Sequence, residues 1–202
     1  MTHLLGEIGS TTAMEFRWIL TKTRSIAIVL LRSALGAARS RILRAAMVDD
    51  AQFKLAMSHF ASGVTIVTTE HEGKPYGLTV ASFASLSLHP PLVLVCIERG
   101  VKSHDAVAAS RKFGVSILGS EQSDASSRFA AKVDDKFAGA ATRRGELGIP
   151  LIEGALCTIE CRLREQLPGG DHSIFIGEVV DVRAREGPPL VYFRSGYHQI
   201  NA

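Results

Sequence analysis

The sequence predicts a mainly β protein with a few flanking helices, folded as a barrel or a sandwich. Seven short segments rich in β-branched and apolar residues lie between turn signals, and only three segments have a helical pattern. The chain has no G-x-G-x-x-G motif after a strand, no P-loop motif and no G-x-S-x-G nucleophile elbow. These observations argue against a doubly wound parallel sheet, so a nucleotide bound here would not be held by a Rossmann fold.

The predicted elements alternate with short connections along the chain. The strand candidates are 63–69, 75–82, 92–97, 113–118, 156–165, 173–184 and 190–193. The helix candidates are 50–61, 104–109 and 122–131. The stretch "EHEGKP" has the composition of a hairpin turn, and "PGGD" that of a tight connection. Residues 47–202 are therefore predicted to form one domain in which strands predominate.

The first 46 residues differ in composition from the rest. They hold seven basic and two acidic residues, whereas the remainder holds 16 basic and 18 acidic residues, out of a total net charge of +3. Residues 16–35 are apolar with basic interruptions, but a bilayer span needs about 20 uncharged residues. A basic amphipathic helix over 16–44 at a membrane or partner surface and an organelle presequence both stay open. We favour a third interpretation, in which the natural protein starts at Met47.

The body of the chain is near neutral, which predicts no nucleic-acid partner. Its three cysteines are Cys96, Cys157 and Cys161. On one strand, Cys157 and Cys161 would have Cα atoms roughly 13 Å apart, too far for a disulfide. No histidines stand at zinc-binding spacing. Reduced, buried thiols and no metal site are therefore predicted, which is typical of a cytoplasmic protein.

Residues 77–87, here called the small-residue segment, contain seven Gly, Ala, Ser or Thr residues among eleven. If the segment is extended, alternate residues share a face. The face expected to pack inward carries Leu78, Val80, Ser82, Ala84, Leu86 and Leu88. The other carries Thr79, Ala81, Phe83, Ser85 and Ser87. Short side chains would let a flat ligand lie against the backbone, or they would mark a strand corner where bulky residues do not fit.

Two further places have the chemistry of a nucleotide site. Lys102 and Ser103 precede a predicted helix, where a cation and free backbone N–H groups form an anion site. The alternative there is a solvated turn with an ordinary serine N-cap. His172 follows two glycines at the start of a strand, and Gly177 inside that strand marks a close approach of a ligand or of another chain segment. His172 is either a contact to a second substrate or an ordinary loop histidine.

Seven strings occur in a fixed order between about residues 50 and 200. They are "FASGVTIVTT", "GLTVASFASLSLHPPLVLVCI", "SHDAVAASRKFGVSIL", "SSRFA", "DKFAG", "GDHSIFIGEV" and "PLVYFRSGY". Together they resemble the flavin reductase-like, FMN-binding split-barrel proteins, the reductase components of two-component flavin-dependent monooxygenases. Each string alone is a weak signal, and their shared order is what carries the resemblance.

The resemblance implies a homodimeric split β-barrel that binds FMN or FAD near the subunit interface. It also implies NAD(P)H as the hydride donor and an oxygenase component as partner. The residues it places at the flavin ring and its phosphate are Thr79, Val80, Ala81, Ser82, Ser85, Ser87, Lys102, Ser103 and, more weakly, Arg128. His172 would be the catalytic residue, facing the nicotinamide with Ser173 beside it.

Two positions depart from the pattern of the family. Relatives often have Asn where this chain has Ala81, and they often have Asn-Val-Leu where it has Ser116, Ile117 and Leu118. Ser116 is kept as a flavin-binding candidate. Two carboxamides are therefore missing, and side-chain contacts to the flavin at these positions are expected to be lost or replaced by water.

Three rival functions stay open on the sequence. A flavin- or haem-binding split barrel could act as a carrier without oxidising NAD(P)H. An enzyme similar to pyridoxamine phosphate oxidase would share the architecture, but no basic cluster suited to a second phosphorylated substrate is evident. A membrane-attached interaction protein would use residues 16–44.

Overall fold

The computed structural model describes residues 48–200, so the predictions about residues 1–46 lie outside the described part of the chain. Within that part the helices are α1 (Asp50–Ser58), α2 (Lys102–Ser110) and α3 (Ser123–Ala130), with a short 3-10 turn at Ser120–Gln122. The strands are β1 (Ser62–Gly63), β2 (Thr65–His71), β3 (Lys74–Val80), β4 (Phe83–Leu88), β5 (Pro91–Glu98), β6 (Lys112–Ile117), β7 (Thr142–Arg144), β8 (Pro150–Ile152), β9 (Cys157–Gly169), β10 (His172–Ala184), β11 (Leu190–Phe193) and β12 (Gly196–Gln199). The predicted class, mainly β with flanking helices, is confirmed.

One seven-stranded antiparallel sheet forms the body, in the order β3-β2-β6-β9-β10-β5-β4. Its edge strands β3 and β4 do not pair with each other, yet Ala81 and Ser82 join them directly in the chain. At this corner Cys96 N donates to Ser82 O at 3.2 Å, and Ser82 Oγ donates to Cys96 O at 2.9 Å. The sheet therefore curls until its two edges meet at the corner but stay unpaired along their lengths, which is a split barrel.

The core lies inside this curl and follows the strand alternation. Val93, Val95 and Ile97 of β5 are buried, and the residues between them are half-buried. In β10, Gly177 is a close-packing position, because a Cβ there would lie 2.4 Å from the ring of Phe113. The signal at Gly177 thus reports packing against Phe113 rather than the approach of a ligand.

The small-residue segment changes direction at its middle. Before the corner Val80 is buried, as predicted. After it Phe83 packs against the core, whereas Leu86 and Leu88 are 45% and 75% exposed. Ser82 and Ala84 are exposed as well. The prediction that these four residues point inward is wrong, because the bend and a bulge in the pairing of β4 with β5 shift the alternation.

The three cysteines are free, as predicted, but the prediction that all three are buried is wrong, because Cys96 and Cys157 are only half-buried. Cys161 is fully buried, and burial together with the negative charge of Glu160 raises the pKa of its thiol to about 12. Burial also raises the pKa of Cys157. Between residues 48 and 200 no helix has the length and apolar character needed to cross a bilayer.

Candidate functional site

A cleft of about 750 Å³ opens between three separate segments of the chain. One side is formed by β3, a second by the turn that joins β5 to α2, and the third by the residues from Phe129 to Phe137 that end α3 and follow it. Sites for drug-sized ligands and cofactors span roughly 300–1,000 Å³. The cleft is therefore large enough for a nucleotide.

The cleft is rich in cations. Five basic residues and two acidic ones line it; the basic ones are Lys74, Arg99, Lys102, Lys132 and Lys136, and the acidic ones are Glu98 and Asp134. Concave sites lined mainly by one sign of charge concentrate ligands of the opposite sign. The cleft is suited to an anionic ligand with one or more phosphates.

Lys102 is available to such a ligand. Its Nζ lies 3.3 Å from Asp134 Oδ1, but the two side chains are 77% and 100% exposed. An exposed pair of this kind contributes little, so an incoming phosphate can compete for the ammonium group. Lys136 is held more firmly, because its Nζ donates to Phe129 O at 2.7 Å and partial burial lowers its pKa.

The first turn of α2 lies at the cleft with its backbone N–H groups. Lys102 and Ser103 are the first two residues of the helix, so their N–H groups have no partner within it. The N-cap is Val101, and Ser103 Oγ donates instead to Gly77 O at 3.2 Å. The interpretation of Ser103 as an ordinary N-cap is therefore wrong. Its hydroxyl ties α2 to β3 across the floor of the cleft.

An aromatic pair backs the third side. A Cβ at position 77 would lie 2.6 Å from the Phe129 ring, so Gly77 allows β3 to pack directly against that ring. Phe129 meets Phe137 edge to face, with ring centroids 5.0 Å apart. Asp135 Oδ1 accepts from the N–H groups of Phe137 and Ala138, both at 3.0 Å, which fixes this turn. The result is a rigid apolar wall beside the cations.

Thr79 lines the cleft, but its hydroxyl proton is already used. Thr79 Oγ1 donates to Ser126 O at 2.6 Å. The hydroxyl of Ser126, fully buried, lies 2.8 Å from that of Tyr197. Thr79 can still accept a hydrogen bond from a ligand, and it fastens α3 to the wall of the cleft.

Of the twelve residues predicted for the site, Thr79, Lys102 and Ser103 line the cleft. Val80 is buried in the core, and Ala81 and Ser82 form the barrel corner. Ser85 and Ser87 lie on the edge strand β4, and Arg128 donates to Ala138 O. Their part in flavin binding stays a prediction.

The remaining three predicted residues lie elsewhere. Ser116 is fully buried and accepts from Ile152 N at 3.1 Å, which favours a structural role. His172 is half-exposed, and its Nδ1 lies 2.7 Å from Asp171 Oδ1. The hydrogen bond and charge of His172 hold the pKa of Asp171 below its ordinary value. Neither residue lines the cleft of a single chain.

Ser173 is 2% exposed and does not line the cleft either. Its hydroxyl lies 2.9 Å from His104 Nε2 and accepts from Arg99 Nε and Gln166 Nε2, both at 3.3 Å. Arg99 is the member of this group that reaches the cleft. The four cations Lys74, Arg99, Lys132 and Lys136 were missed from the sequence, since they come from three separate segments and form a cluster only in the fold.

Known protein families, curated proteins and solved structures match most of the chain. The model of the family described as "Flavin reductase like domain" matches residues 57–201. The chain is 42% identical over 150 residues, 74% of its length and 80% of the relative's, to the reductase component of 4-nitrophenol 4-monooxygenase/4-nitrocatechol 2-monooxygenase from Rhodococcus opacus.

Two solved structures share the fold closely. One is nitrilotriacetate monooxygenase component B from Mycobacterium thermoresistibile, with a TM-score of 0.74 and 41% identity, covering 76% of this chain and 87% of that one. The other is the NADH:FAD oxidoreductase of Streptomyces globisporus in complex with NAD and FAD fragments, with a TM-score of 0.72 and 35% identity, covering 76% and 93%.

Proposed function

The chain belongs to the flavin reductase-like domain family and is an NAD(P)H-dependent flavin reductase, and we propose that its basic cleft holds the flavin. It supplies reduced FMN or FAD to a partner monooxygenase. The resemblance inferred from the seven sequence strings and the split-barrel prediction are both confirmed. The cytoplasmic location stays a prediction, and the sequence makes no choice of oxygenase or between NADH and NADPH.

The observation that carries the proposal is the meeting of the α2 N-terminus with an apolar wall. Lys102 and the free N–H groups of α2 provide an anion site at one side of the cleft. Phe137 and Leu78, both half-buried at the cleft, provide a surface against which a flat ring can lie, and the fully buried Phe129 supports Phe137 from behind. A flavin mononucleotide has both features, a flat tricyclic ring and one phosphate, so the residues present fit it.

In this arrangement the protein binds and orients, while the flavin, when bound, supplies the hydride-accepting chemistry. Lys102 and the first turn of α2 hold the flavin phosphate. Thr79, fixed by its bond to Ser126 O, offers an acceptor on the wall of the cleft. We keep His172 as the residue that contacts the nicotinamide, with Asp171 orienting its ring through Nδ1.

We also propose that the protein is a homodimer through the outer face of β10, β5 and β4. On this face Ile174 is paired with Cys96, and Ile176 with Leu94; all four are half-exposed. Leu86 of the neighbouring strand is 45% exposed. A contiguous apolar sheet face of this kind is typical of a subunit interface, and a second copy of the chain would cover it.

Oligomeric state tests the dimer directly. The wild-type protein is expected to sediment as a dimer, and Ile176→Arg as a monomer, because a charge would be buried without a partner. Glu186→Arg, in the exposed loop before β11, is the matched control. A wild-type monomer, or an unaltered Ile176→Arg dimer, contradicts this interface.

Flavin reduction tests the function of the cleft. The protein is mixed anaerobically with FMN, FAD or riboflavin and with NADH or NADPH, and the visible flavin absorbance is followed. We expect rapid bleaching with at least one nicotinamide. We also expect tighter binding of FMN than of riboflavin, since riboflavin lacks the phosphate. If no combination bleaches, the chain is a flavin carrier rather than a reductase.

A further inference from the structure

We propose that Arg99 binds a phosphate group of a nucleotide in the cleft, and that Ser173 and His104 are positioning residues that aim its guanidinium group. This inference rests on the proposed function, because it assigns a further residue to the same cleft. The phosphate belongs either to the nicotinamide nucleotide or to the flavin, and the experiment below distinguishes the two.

The hydrogen-bond capacity of Ser173 fixes the direction of every bond around it. A hydroxyl has one proton to donate and two lone pairs to accept with. Arg99 Nε and Gln166 Nε2 can only donate, and each lies 3.3 Å from Ser173 Oγ. Both lone pairs are therefore used. The hydroxyl proton must point to His104 Nε2, which is 2.9 Å away.

The same reasoning fixes the tautomer of His104. Since Nε2 accepts from Ser173, the ring proton lies on Nδ1, which is 2.8 Å from Asp105 Oδ1. The ring also meets Phe175 edge to face, with centroids 5.1 Å apart, and His104 is 8% exposed. The His104 ring is thus fixed by its contacts with Asp105, Ser173 and Phe175, and it fixes the Ser173 hydroxyl in a single orientation.

Ser173 itself cannot move with the ligand. It lies near the start of the internal strand β10, where β10 pairs with both β5 and β9. A buried hydroxyl whose donor and acceptor sites are all occupied in this way is rigid. The acceptor that Arg99 binds is therefore pre-organised by the fold.

Arg99 connects the rigid Ser173 hydroxyl to the cleft. The backbone N–H of Arg99 donates to Asp171 O at 3.0 Å, which fixes its main chain, and its side chain is exposed at the cleft. It makes no salt bridge to any residue between 48 and 200. Because Nε is used by Ser173, the two terminal Nη groups stay available as a fork for a phosphate. Three residues on, Lys102 supplies a second cation in the same turn.

The test compares substrates with and without a phosphate. Arg99→Gln is assayed with NADH against 1-benzyl-1,4-dihydronicotinamide, a hydride donor without phosphates, and with FMN against riboflavin. We expect the KM for NADH, or the Kd for FMN, to rise about 10- to 100-fold. The corresponding constant for the phosphate-free partner should change little. An effect confined to NADH assigns the nicotinamide nucleotide, and one confined to FMN assigns the flavin.

Arg164→Gln is the matched control, because Arg164 lies on β9 in an exposed pair with Glu178 and its loss changes the net charge equally. Equal weakening of phosphate-bearing and phosphate-free substrates by Arg99→Gln, or no weakening at all, overturns the proposal. In both cases flavin bleaching by the wild-type protein would still support the reductase function, so the two failures are distinguishable.

The positioning role is tested by coupling. Ser173→Ala should raise the same constant about three- to tenfold at unchanged kcat. In the Arg99→Gln background it should add almost nothing, because Ser173 acts through Arg99. If Ser173→Ala does not fold, Ser173→Cys keeps the volume while losing the strong acceptor. Independent, multiplicative effects of the two substitutions would show that Ser173 is merely structural.

Discussion

Two polar side chains of this protein are buried to a similar extent but belong to hydrogen-bond networks that end in different places. Glu160 on β9 is fully buried, and Ser173 on β10 is 2% exposed. Glu160 forms a cluster with Gly145, Glu146 and Leu147 of the loop between β7 and β8, here called the Glu160 cluster. Ser173 forms a cluster with His104, Gln166 and Arg99, here called the Ser173 cluster.

The Glu160 cluster is closed. Glu160 accepts from Glu146 N at 2.6 Å and from Leu147 N at 2.9 Å, and a Cβ at Gly145 would lie 2.3 Å from its carboxylate. All of these partners are backbone groups of one loop. The carboxylate therefore fixes the loop against the sheet and has no path to a ligand.

The Ser173 cluster is open at one end, because its outermost member, Arg99, lies in the cleft. Glu160 and Ser173 are buried to nearly the same extent, so burial does not distinguish a structural group from a functional one. What distinguishes them is where the outermost residue of each hydrogen-bond network lies. The Glu160 network ends on the fold's own backbone and stabilises the fold, whereas the Ser173 network ends on Arg99 in the cleft, where we propose that it serves a ligand.

The largest effect on stability is expected from Glu160→Leu. Two backbone N–H groups, of Glu146 and Leu147, would lose their charged, fully buried acceptor, which costs about 2–5 kcal/mol. The melting temperature should fall by about 5–15 °C. The exposed Glu186→Leu is the control and should change little. At a temperature where the variant is folded, its KM values for NADH and FMN should be those of the wild type. Raised KM values in the folded variant would show that the Glu160 cluster affects the cleft.

On the cleft side the largest effect is expected from Lys102→Ala. Loss of one charge-assisted phosphate contact should weaken FMN binding by about 1.5–3 kcal/mol. Riboflavin binding should stay nearly unchanged, and so should the free energy of unfolding. Fluorescence titration with both flavins measures this, with Lys54→Ala on α1 as the matched control. Equal weakening for FMN and riboflavin would remove Lys102 from the phosphate site.

The β-rich fold could be predicted because its strands follow the local pattern. Alternation in β5 and β10 and the turn signals at "EHEGKP" and "PGGD" depend only on neighbouring residues. The corner at Ala81 and Ser82 could not be placed in the same way. Small residues fit both a ligand wall and a corner, and only the pairing of Ser82 with Cys96 decides for the corner at that point.

The site was predictable only in part, for a related reason. Lys102 and Ser103 lie at a helix N-terminus, which is a local signal. The cation cluster joins Lys74, Arg99 and Lys132 from three segments, and sequence spacing does not bring such residues together. Ser173 was predicted beside the nicotinamide, yet its neighbours show a hydroxyl that is fully occupied by His104, Arg99 and Gln166.

The third prediction concerns the pH dependence of stability, which reports whether water reaches the thiol of Cys161 beside the Glu160 cluster. Cys161 follows Glu160 in β9, and its pKa is raised to about 12 by burial and by the Glu160 charge. The thiol of the unfolded chain ionises near its ordinary value of about 8.5. Between these values the unfolded state loses a proton that the native state keeps. Stability should therefore fall as pH rises, by up to about 1.4 kcal/mol per pH unit.

Urea denaturation at about pH 8, 9 and 10 measures this slope. Below the ordinary thiol pKa both states are protonated and Cys161 contributes no pH dependence. Cys161→Ala is the comparison, and its stability should fall less steeply in the alkaline range. Native Cys161 should also resist alkylation at neutral pH. Identical slopes for the two proteins would mean that water reaches the thiol.

The smallest effect is expected at Ser126, which has one hydrogen bond to a structural partner and one to a residue of the cleft. Its hydroxyl lies 2.8 Å from that of Tyr197, and its backbone carbonyl accepts from Thr79 in the cleft. Tyr197→Phe leaves the Ser126 hydroxyl without that partner, which should cost about 1 kcal/mol and lower the melting temperature by about 2–4 °C. Tyr192→Phe, in the ring packed against Tyr197, is the control. Because the backbone carbonyl of Ser126 does not depend on Tyr197, the Kd for FMN should not change. A weaker FMN complex in Tyr197→Phe would mean that this pair, like the Ser173 cluster, acts on the ligand.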